Sequence, residues 1–417
     1  MLKSDSMIVR KEAQALIAQS KNHAVSILTG SRQVGKSTLM QMIRDTLAVP
    51  AAYYNLENPL HLSLFNEGYT SFIRQNTASL VFIDEFQYCK NISSIFKAIY
   101  DLNPEIKVYA SGSSSMEIQA HLAESLVGRK LERVIYPLTF SEWLTQFSPS
   151  LPEIPPLGTV SPVDTQEMFR NRMDEFVLFG AMPGLSHVIG ELEKREYLQG
   201  IYQTYIAKDI KSFLRDESVL SFNKMISYLA VNNGSMLNRN TLSTISSVSS
   251  RQIEKYVDIL EGTYVLSLVK PLSKNRGKEL VKTPKYYFYD QGVLNTIVQD
   301  FRPSRLRQDS GMLNENFAYW ELKKNLDIRY QIKYWRTADG KEVDFVLEKD
   351  RERLPVEVKS SWPPGKIPPG ILHFFAFYPE TKRAVVLYDG PEQEVILDGR
   401  TVTFAPLWKA CRVSMEG

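Results

Sequence analysis

The chain has 417 residues, 43% of them hydrophobic and 23% charged, an ordinary globular composition at a length that exceeds one hydrophobic core. Its 50 Lys and Arg residues nearly balance 47 Asp and Glu residues, so any surface for nucleic acid has to be local. Two cysteines, Cys89 and Cys411, exclude a disulfide framework and a zinc cluster. No apolar run has the length of a membrane span, and the first residues show no signal-peptide pattern. We therefore expect a cytoplasmic protein with no membrane partner.

Short apolar runs alternate with helical patterns in the N-terminal third, which predicts an α/β domain with a parallel sheet covered by helices. We assign residues 1–145 to this domain. Its five predicted strands are residues 24–29, 51–56, 80–84, 106–111 and 132–136.

The loop after the first predicted strand matches the phosphate-binding P-loop motif, G-x-x-x-x-G-K-[ST]. It lies between a predicted strand and a predicted helix, the context in which backbone N–H groups and a helix N-terminus bind phosphate. We predict that Lys36 contacts the β- and γ-phosphates of ATP and that Ser37 binds Mg²⁺. The predicted nucleotide-binding residues are Gly30, Ser31, Arg32, Gln33, Val34, Gly35, Lys36, Ser37 and Thr38.

Two acids, Asp84 and Glu85, follow the third predicted strand, where a Walker B motif is expected. In that interpretation Asp84 holds Mg²⁺ through water and Glu85 is the general base of ATP hydrolysis. The alternative is an ordinary strand end with two surface acids.

Polar and basic residues further on are candidates to complete the site. Ser113, after the fourth predicted strand, is a candidate contact for the γ-phosphate, although a Gly/Ser turn is also an ordinary strand exit. Arg129 and Arg133 are candidate cations for the transition state; the alternative is surface ion pairing. An arginine acting in trans would require a homo-oligomer, which the sequence leaves open.

The middle of the chain changes character twice. Prolines and small polar residues between 146 and 165 predict a linker or excursion, and residues 166–230 have helical patterns. In the segment 231–300, two helices joined by a Ser-rich turn and followed by a strand predict a winged helix-turn-helix. The predicted wing, residues 270–285, carries six basic residues and one acid, and Tyr286, Tyr287 and Tyr289 follow it. This basic, aromatic segment indicates a contact to DNA or RNA; the alternatives are a lid or a protein contact.

The C-terminal segment, residues 301–417, contains two alternating runs that predict a β-hairpin over 342–347 and 354–359. If pairing brings Asp344 beside Glu357, these acids and Lys359 form the D…(D/E)-x-K arrangement of metal-dependent phosphodiesterases, with Glu315 as a third acid. The acids would then hold a second Mg²⁺ or a Mn²⁺, and Lys359 would position or help deprotonate water. The alternative is a polar hairpin face exposed to solvent.

A family resemblance rests on motifs that occur in one order along nearly the whole chain. The motifs are 30–39 (GSRQVGKSTL), 83–87 (IDEFQ), 111–115 (SGSSS), 125–129 (SLVGR), 136–142 (YPLTFSE), 179–183 (FGAMP), 205–210 (YIAKDI), 285–290 (KYYFYD) and 341–345 (KEVDF). The chain resembles the bacterial and archaeal AAA+-type ATPases that carry a C-terminal domain of unknown function. The resemblance implies an AAA+-like core, a helical and winged-helix middle, and a restriction-endonuclease-like C-terminal domain similar to PD-(D/E)xK nucleases. One departure is Ser31, where the family commonly has proline.

These patterns lead to one main hypothesis and two alternatives. The main hypothesis is an ATPase whose nucleotide cycle moves a winged-helix and nuclease-like module on nucleic acid. The first alternative is a nucleotide-dependent switch with a catalytically inactive C-terminal domain, and the second is a protein-remodelling AAA+ ring.

Overall fold

The computed structural model describes residues 8, 10–112, 126–204, 219–273 and 283–416. They form two compact units. The first unit consists of Met1–Leu138, Met182–Gly184 and Asp258–Val265, and the second of Thr139–Ala181, Leu185–Val257 and Leu266–Gly417. The five domain segments proposed from the sequence stay predictions.

The first unit is built on a five-stranded parallel sheet with the strand order β2-β3-β4-β1-β5. Its strands are β1 (Val25–Thr29), β2 (Ala51–Asn55), β3 (Leu80–Asp84), β4 (Lys107–Ser111) and β5 (Lys130–Val134). Its described helices are Lys11–Ala18, Lys36–Leu47, Pro59–Asn66, Tyr69–Gln75 and Ile92–Leu102. The parallel α/β sheet predicted from the sequence is confirmed.

The burial of each strand matches its position in the sheet. Every residue of β1, β3 and β4 is buried, whereas the edge strands β2 and β5 are half-buried. Helix Ile92–Leu102 packs its apolar stripe, Ile92, Ile95, Phe96 and Ile99, into the same core. Because parallel strands end at the same sheet edge, the P-loop after β1, Asp84 and Glu85 at the end of β3 and Ser111 at the end of β4 meet there.

The second unit contains a helical part and a two-stranded antiparallel sheet. Its helices before the small sheet are Phe140–Phe147, Val163–Phe179, Glu191–Thr204, Val219–Val231, Arg239–Ser246 and the first part of Ser250–Gly262. The small sheet pairs β6 (Leu266–Val269) with β7 (Lys285–Phe288). The two helices predicted around 240–245 and 249–260 are present, and their assignment to a winged helix stays a prediction.

The C-terminal part of the second unit is a six-stranded mixed sheet with the order β12-β13-β11-β10-β9-β8. Its strands are β8 (Gln331–Arg336), β9 (Glu342–Lys349), β10 (Glu352–Lys359), β11 (Arg383–Tyr388), β12 (Gln393–Leu397) and β13 (Arg400–Pro406). Helices Gln291–Val298 and Ser310–Asn325 precede the sheet, and helix Pro369–Phe377 connects β10 to the parallel strand β11.

The hairpin β9–β10 has the antiparallel pairing that the alternating sequence predicts. Its turn is formed by Asp350 and Arg351, with φ values of 49° and 75°. Two successive residues with positive φ are typical of the tight turn that matches strand twist. The turn sets the register that pairs Phe345 with Val356 and brings the acids of the two strands together.

The Pro-rich excursion is fastened to the C-terminal sheet. The Lys409 ammonium donates to the carbonyl oxygens of Pro156 (2.9 Å) and Thr159 (2.7 Å) and forms an ion pair with Glu392. Arg412 donates from Nε to the carbonyl oxygen of Ile154 at 2.9 Å. The side chains of Lys409 and Glu392 are only 1% and 6% exposed, so these contacts are internal.

Candidate functional site

The P-loop requires glycine at two positions. Gly30 has φ +138°, and a Cβ there would lie 2.2 Å from the carbonyl oxygen of Ile135. Gly35 has φ +87° and is the N-cap of helix Lys36–Leu47. At Gly30 only a residue without a side chain combines this backbone angle with such close packing, and at Gly35 the positive φ alone favours glycine. The loop then continues into a helix N-terminus, where free backbone N–H groups can bind phosphate.

Two buried basic side chains donate hydrogen bonds to backbone carbonyl oxygens of the P-loop. The buried Lys36 ammonium donates to the carbonyl oxygens of Gly30 (3.0 Å) and Ser31 (2.8 Å). The buried Arg10 guanidinium donates to the carbonyl oxygens of Val34 (3.3 Å) and Tyr136 (2.7 Å). Arg10 belongs to no motif, and only its contact in the folded chain reveals that it supports the loop.

Asp84 is buried at the end of β3, and hydrogen bonds fix its carboxylate. The hydroxyl of Ser111, at the end of β4, donates to Oδ1, and the backbone N–H of Glu85 donates to the same oxygen at 3.1 Å. The hydroxyl of Tyr53, from β2, donates to Oδ2 at 2.8 Å. Three neighbouring strands therefore orient this one acid.

Tyr53 also connects Asp84 to the P-loop. Burial raises the pKa of Tyr53 above its usual range, the Asp84 carboxylate raises it further, and a hydrogen bond from Ser37 lowers it. The Tyr53 hydroxyl thus lies beside both residues predicted to hold Mg²⁺. Ser37 and Asp84 present hydroxyl and carboxylate oxygens, the hard donors that Mg²⁺ prefers, so the donor set fits this cation.

Glu85 has the surroundings of a proton acceptor. Burial raises the pKa of its carboxyl, while a hydrogen bond from Gln87 and the Lys36 charge lower it. Its backbone is left-handed, with φ 54°, a conformation that costs a non-glycine residue on the order of 1 kcal/mol. A half-buried carboxylate with a raised pKa is suited to general base catalysis near neutral pH.

Two candidates near this site have different outcomes. Ser113 lies outside the described residues, and the serine found at the strand end beside Asp84 is Ser111. Arg129 accepts a hydrogen bond from Val25 through its carbonyl, so it lies where β1 begins, about 16 Å of strand away from the P-loop. Its guanidinium pairs with Asp101 at 2.8 Å. Within its own chain Arg129 thus lies at the opposite end of β1 from the P-loop, and its role as a transition-state cation acting in trans stays a prediction.

A second cluster forms in the C-terminal sheet, where the predicted Asp344, Glu357 and Lys359 converge. The backbone N–H of Val358 donates to Asp344 Oδ2 at 2.8 Å, and Lys359 Nζ donates to Glu357 Oε1 at 2.6 Å. Burial raises the pKa of Asp344 well above its ordinary value, and the nearby charges of Glu357 and Glu315 raise it further. Burial also raises the pKa of Glu357, which Lys359 partly offsets.

Lys285 belongs to this cluster and not to a solvent-facing wing. Its buried ammonium lies 2.9 Å from Glu315 Oε1 and 2.6 Å from Glu342 Oε1. Tyr286 and Tyr287 are also buried, and Tyr287 donates its hydroxyl hydrogen to Glu315 Oε1 at 2.5 Å. The interpretation of these three residues as a nucleic-acid surface is therefore wrong. Of the other basic wing residues, Lys270 is exposed and Lys274, Arg276, Lys278 and Lys282 lie outside the described part of the chain.

The C-terminal carboxylates do not fit a divalent metal as they are arranged. Within the described ranges, no group of three or more His, Cys, Asp and Glu side chains is placed to hold a metal ion. Lys285 forms ion pairs with Glu315 and Glu342, and Lys359 forms an ion pair with one oxygen of Glu357. Glu357 Oε2 is buried with no hydrogen-bond partner, yet one such oxygen falls far short of the roughly six ligands that a divalent cation takes.

A P-loop after one strand of a parallel sheet, with a fixed aspartate at the end of another, defines a P-loop nucleotide-binding domain. Residues 22–144 match the model of a family described as AAA domain, so this part of the chain is an AAA-type ATPase domain. Residues 170–304 and 310–409 match models described as domains of unknown function DUF8612 and DUF4143. No helix in the described residues has the length and apolar character needed to cross a membrane.

The sequence similarity to other proteins extends beyond the AAA domain. An uncharacterized protein of Haemophilus influenzae is 27% identical over 382 residues, covering 85% of this chain and 87% of its own. An uncharacterized protein of Methanocaldococcus jannaschii is 23% identical over 342 residues, covering 79% of this chain and 73% of its own. The similarity therefore includes the C-terminal domains.

Two solved structures have low similarity to this chain. The Thermotoga maritima RuvB Holliday junction branch migration motor is 16% identical, with 63% of this chain and 90% of that chain covered and a TM-score of 0.32. A Pyrococcus horikoshii signal transduction ATPase with a tetratricopeptide repeat sensor is 12% identical, with 78% and 47% covered and a TM-score of 0.29.

Proposed function

We propose that the protein is a Mg²⁺-dependent ATPase whose nucleotide cycle drives a nuclease-like C-terminal module on nucleic acid. The observation that carries the ATPase part is the anchoring of Asp84, whose two carboxylate oxygens accept hydrogen bonds from Ser111 and Tyr53. A fixed carboxylate beside the P-loop serine is the arrangement that P-loop ATPases use on the β- and γ-phosphates.

Each residue of the site has a defined role in this proposal. The loop N–H groups bind the phosphates, and Lys36 exchanges its contacts to the loop carbonyls for phosphate oxygens. Ser37 and Asp84 hold Mg²⁺, which neutralises phosphate charge when bound. Glu85 accepts the proton of the attacking water, for which its raised pKa suits it.

Substitutions at Lys36 and Glu85 test the ATPase. We expect Lys36→Ala to abolish ATP binding, and Glu85→Gln to retain binding while turnover falls about 10²–10⁴-fold, because the proton acceptor is lost. Phosphate release and binding of a fluorescent ATP analogue measure the two effects. Lys97→Ala is the control, since this lysine is exposed on helix Ile92–Leu102 and belongs to no predicted site. Normal ATP turnover in both site variants would contradict the proposed ATPase activity.

The proposed nucleic-acid contact is supported by exposed basic residues in the second unit. Arg251 and Lys255 lie one turn apart on the exposed face of helix Ser250–Gly262, the second helix of the predicted winged helix-turn-helix. Lys270 is exposed after β6. Basic residues on a helix that enters the groove contact phosphates in such modules.

Salt-dependent binding tests this contact. We expect the double variant Arg251→Ala/Lys255→Ala to weaken binding to duplex DNA and to lower the slope of log K against log salt by about 0.9 per lost phosphate contact. Fluorescence anisotropy measures both quantities, with Lys97→Ala, exposed in the AAA domain, as the control. Unchanged affinity and slope would favour a protein partner instead.

A further inference from the structure

Lys285 is a cation placed inside an acidic cluster by a strand that precedes the C-terminal sheet. It lies on β7, and only 6% of its side chain is exposed. Its ammonium forms two short ion pairs, to Glu315 on helix Ser310–Asn325 and to Glu342 at the start of β9. These two ion pairs compensate the burial of its positive charge.

Both carboxylates bound by Lys285 have second partners. Tyr287, two residues along the same strand, donates to Glu315 at 2.5 Å, and Arg336 pairs with Glu342 at 3.0 Å. Each carboxylate is therefore held by two donors. A metal ion would have to displace these donors before it reached Glu315 or Glu342.

Three acids of the cluster already have cations in direct contact. Glu315 and Glu342 pair with Lys285, Glu342 also pairs with Arg336, and Glu357 pairs with Lys359. A divalent ion would have to compete with these cations for the same carboxylates, and a displaced cation would be left without its partner.

We propose that Lys285 is a built-in cation that takes the place of the divalent metal in this nuclease-like cluster, so that the C-terminal domain does not cleave phosphodiesters. An ammonium supplies one charge and three donors, and it does not lower the pKa of water as a metal does. The domain then contributes binding and not hydrolysis. This inference is independent of ATP hydrolysis at the AAA domain.

Manganese titration of the full chain without nucleotide, followed by the EPR signal of free Mn²⁺, tests the proposal. We expect wild type and Asp344→Asn to give the same titration, because the native cluster takes up no Mn²⁺. We expect Lys285→Met to gain a Mn²⁺ site that is lost again in Lys285→Met/Asp344→Asn. Lys285→Arg keeps the charge and should gain no site.

Two outcomes would overturn the proposal. The first is Mn²⁺ uptake by wild type that Asp344→Asn removes, which would identify a native metal centre. The second is a Lys285→Met variant that has wild-type circular dichroism but gains no Mn²⁺ site. If Lys285→Met does not fold, the comparison of wild type with Asp344→Asn decides alone. Metal-dependent cleavage of DNA or RNA by wild type, lost in Lys359→Ala, would also overturn it.

Discussion

At the scale of single residues, Tyr53 is the least expected member of the nucleotide site. No motif includes it, yet its hydroxyl donates to Asp84 at 2.8 Å and lies beside Ser37. Removing a residue that orients a metal-ligating carboxylate commonly lowers metal affinity or activity about 10- to 100-fold. Tyr53 therefore ranks with Ser111 as a positioning residue for Asp84.

Tyr53→Phe removes one hydroxyl and keeps the ring. We expect turnover to fall about 10- to 100-fold and the Mg²⁺ concentration for half-maximal rate to rise, because Asp84 loses an orienting donor. Tyr54→Phe, on the same strand with its ring packed between Phe65 and Phe72, is the matched control. An unchanged magnesium dependence in Tyr53→Phe would show that Ser111 and the backbone orient Asp84 without help.

At the scale of elements, a buried acid joins two helices of the second unit. Glu321, on helix Ser310–Asn325, is fully buried and accepts a hydrogen bond at 3.0 Å from the backbone N–H of Phe140, the first residue of helix Phe140–Phe147. Burial raises its pKa from 4.5 to about 7, Glu142 adds to the rise, and Lys324 opposes it. Burial thus disfavours the charged form of Glu321, although the nearby helix N-terminus favours a negative charge.

Glu321→Gln tests this contact through the pH dependence of stability. The raised pKa means that the folded state binds the proton more tightly, so this stabilisation is complete below about pH 4.5 and disappears as pH rises through about 7. We expect the free energy of unfolding of wild type to fall, relative to Glu321→Gln, by on the order of 3 kcal/mol over this window. Urea denaturation at several pH values measures it, with the exposed Glu191→Gln as control. Parallel pH curves for wild type and Glu321→Gln would contradict the assignment.

Patterns within one element could be predicted, and contacts between distant elements could not. The apolar runs of the AAA sheet and the alternation of β9 and β10 are local signals, and both predictions are confirmed. The sequence predicts a solvent-facing Lys285 because this residue follows a basic loop. Every residue of β7 is buried, so neither loop charge nor strand alternation marks its surroundings. Its partners Glu315 and Glu342 are 30 or more residues away.

At the scale of the whole molecule, the chain closes long loops with buried polar contacts. Lys409, near the end of the chain, holds the Pro-rich excursion through the carbonyls of Pro156 and Thr159, about 250 residues earlier. Its ion pair with Glu392 is buried on both sides. Removing one partner of such a pair leaves an uncompensated charge.

Lys409→Met should therefore destabilise the second unit by about 3–5 kcal/mol, since Glu392 stays buried without its cation. We expect the double variant Lys409→Met/Glu392→Gln to recover part of that loss, because the lone charge is removed as well. Thermal and urea unfolding measure the cycle. Equal stability of wild type and Lys409→Met would mean that the excursion contributes nothing to this unit.

The hydrogen bond from Tyr264 to the hydroxyl of Thr29, at 3.0 Å, can form only late in the synthesis of the nascent chain. Thr29 ends the strand that leads into the P-loop, and its partner follows 235 residues later. A ribosome adding about 5–20 residues per second takes roughly 10 to 50 s to make that stretch. Throughout this interval the nascent AAA sheet has its phosphate-binding loop but not the tyrosine that donates a hydrogen bond to Thr29. The first unit therefore gains its full set of contacts only after Asp258–Val265, a segment far downstream of its sheet, has been synthesised.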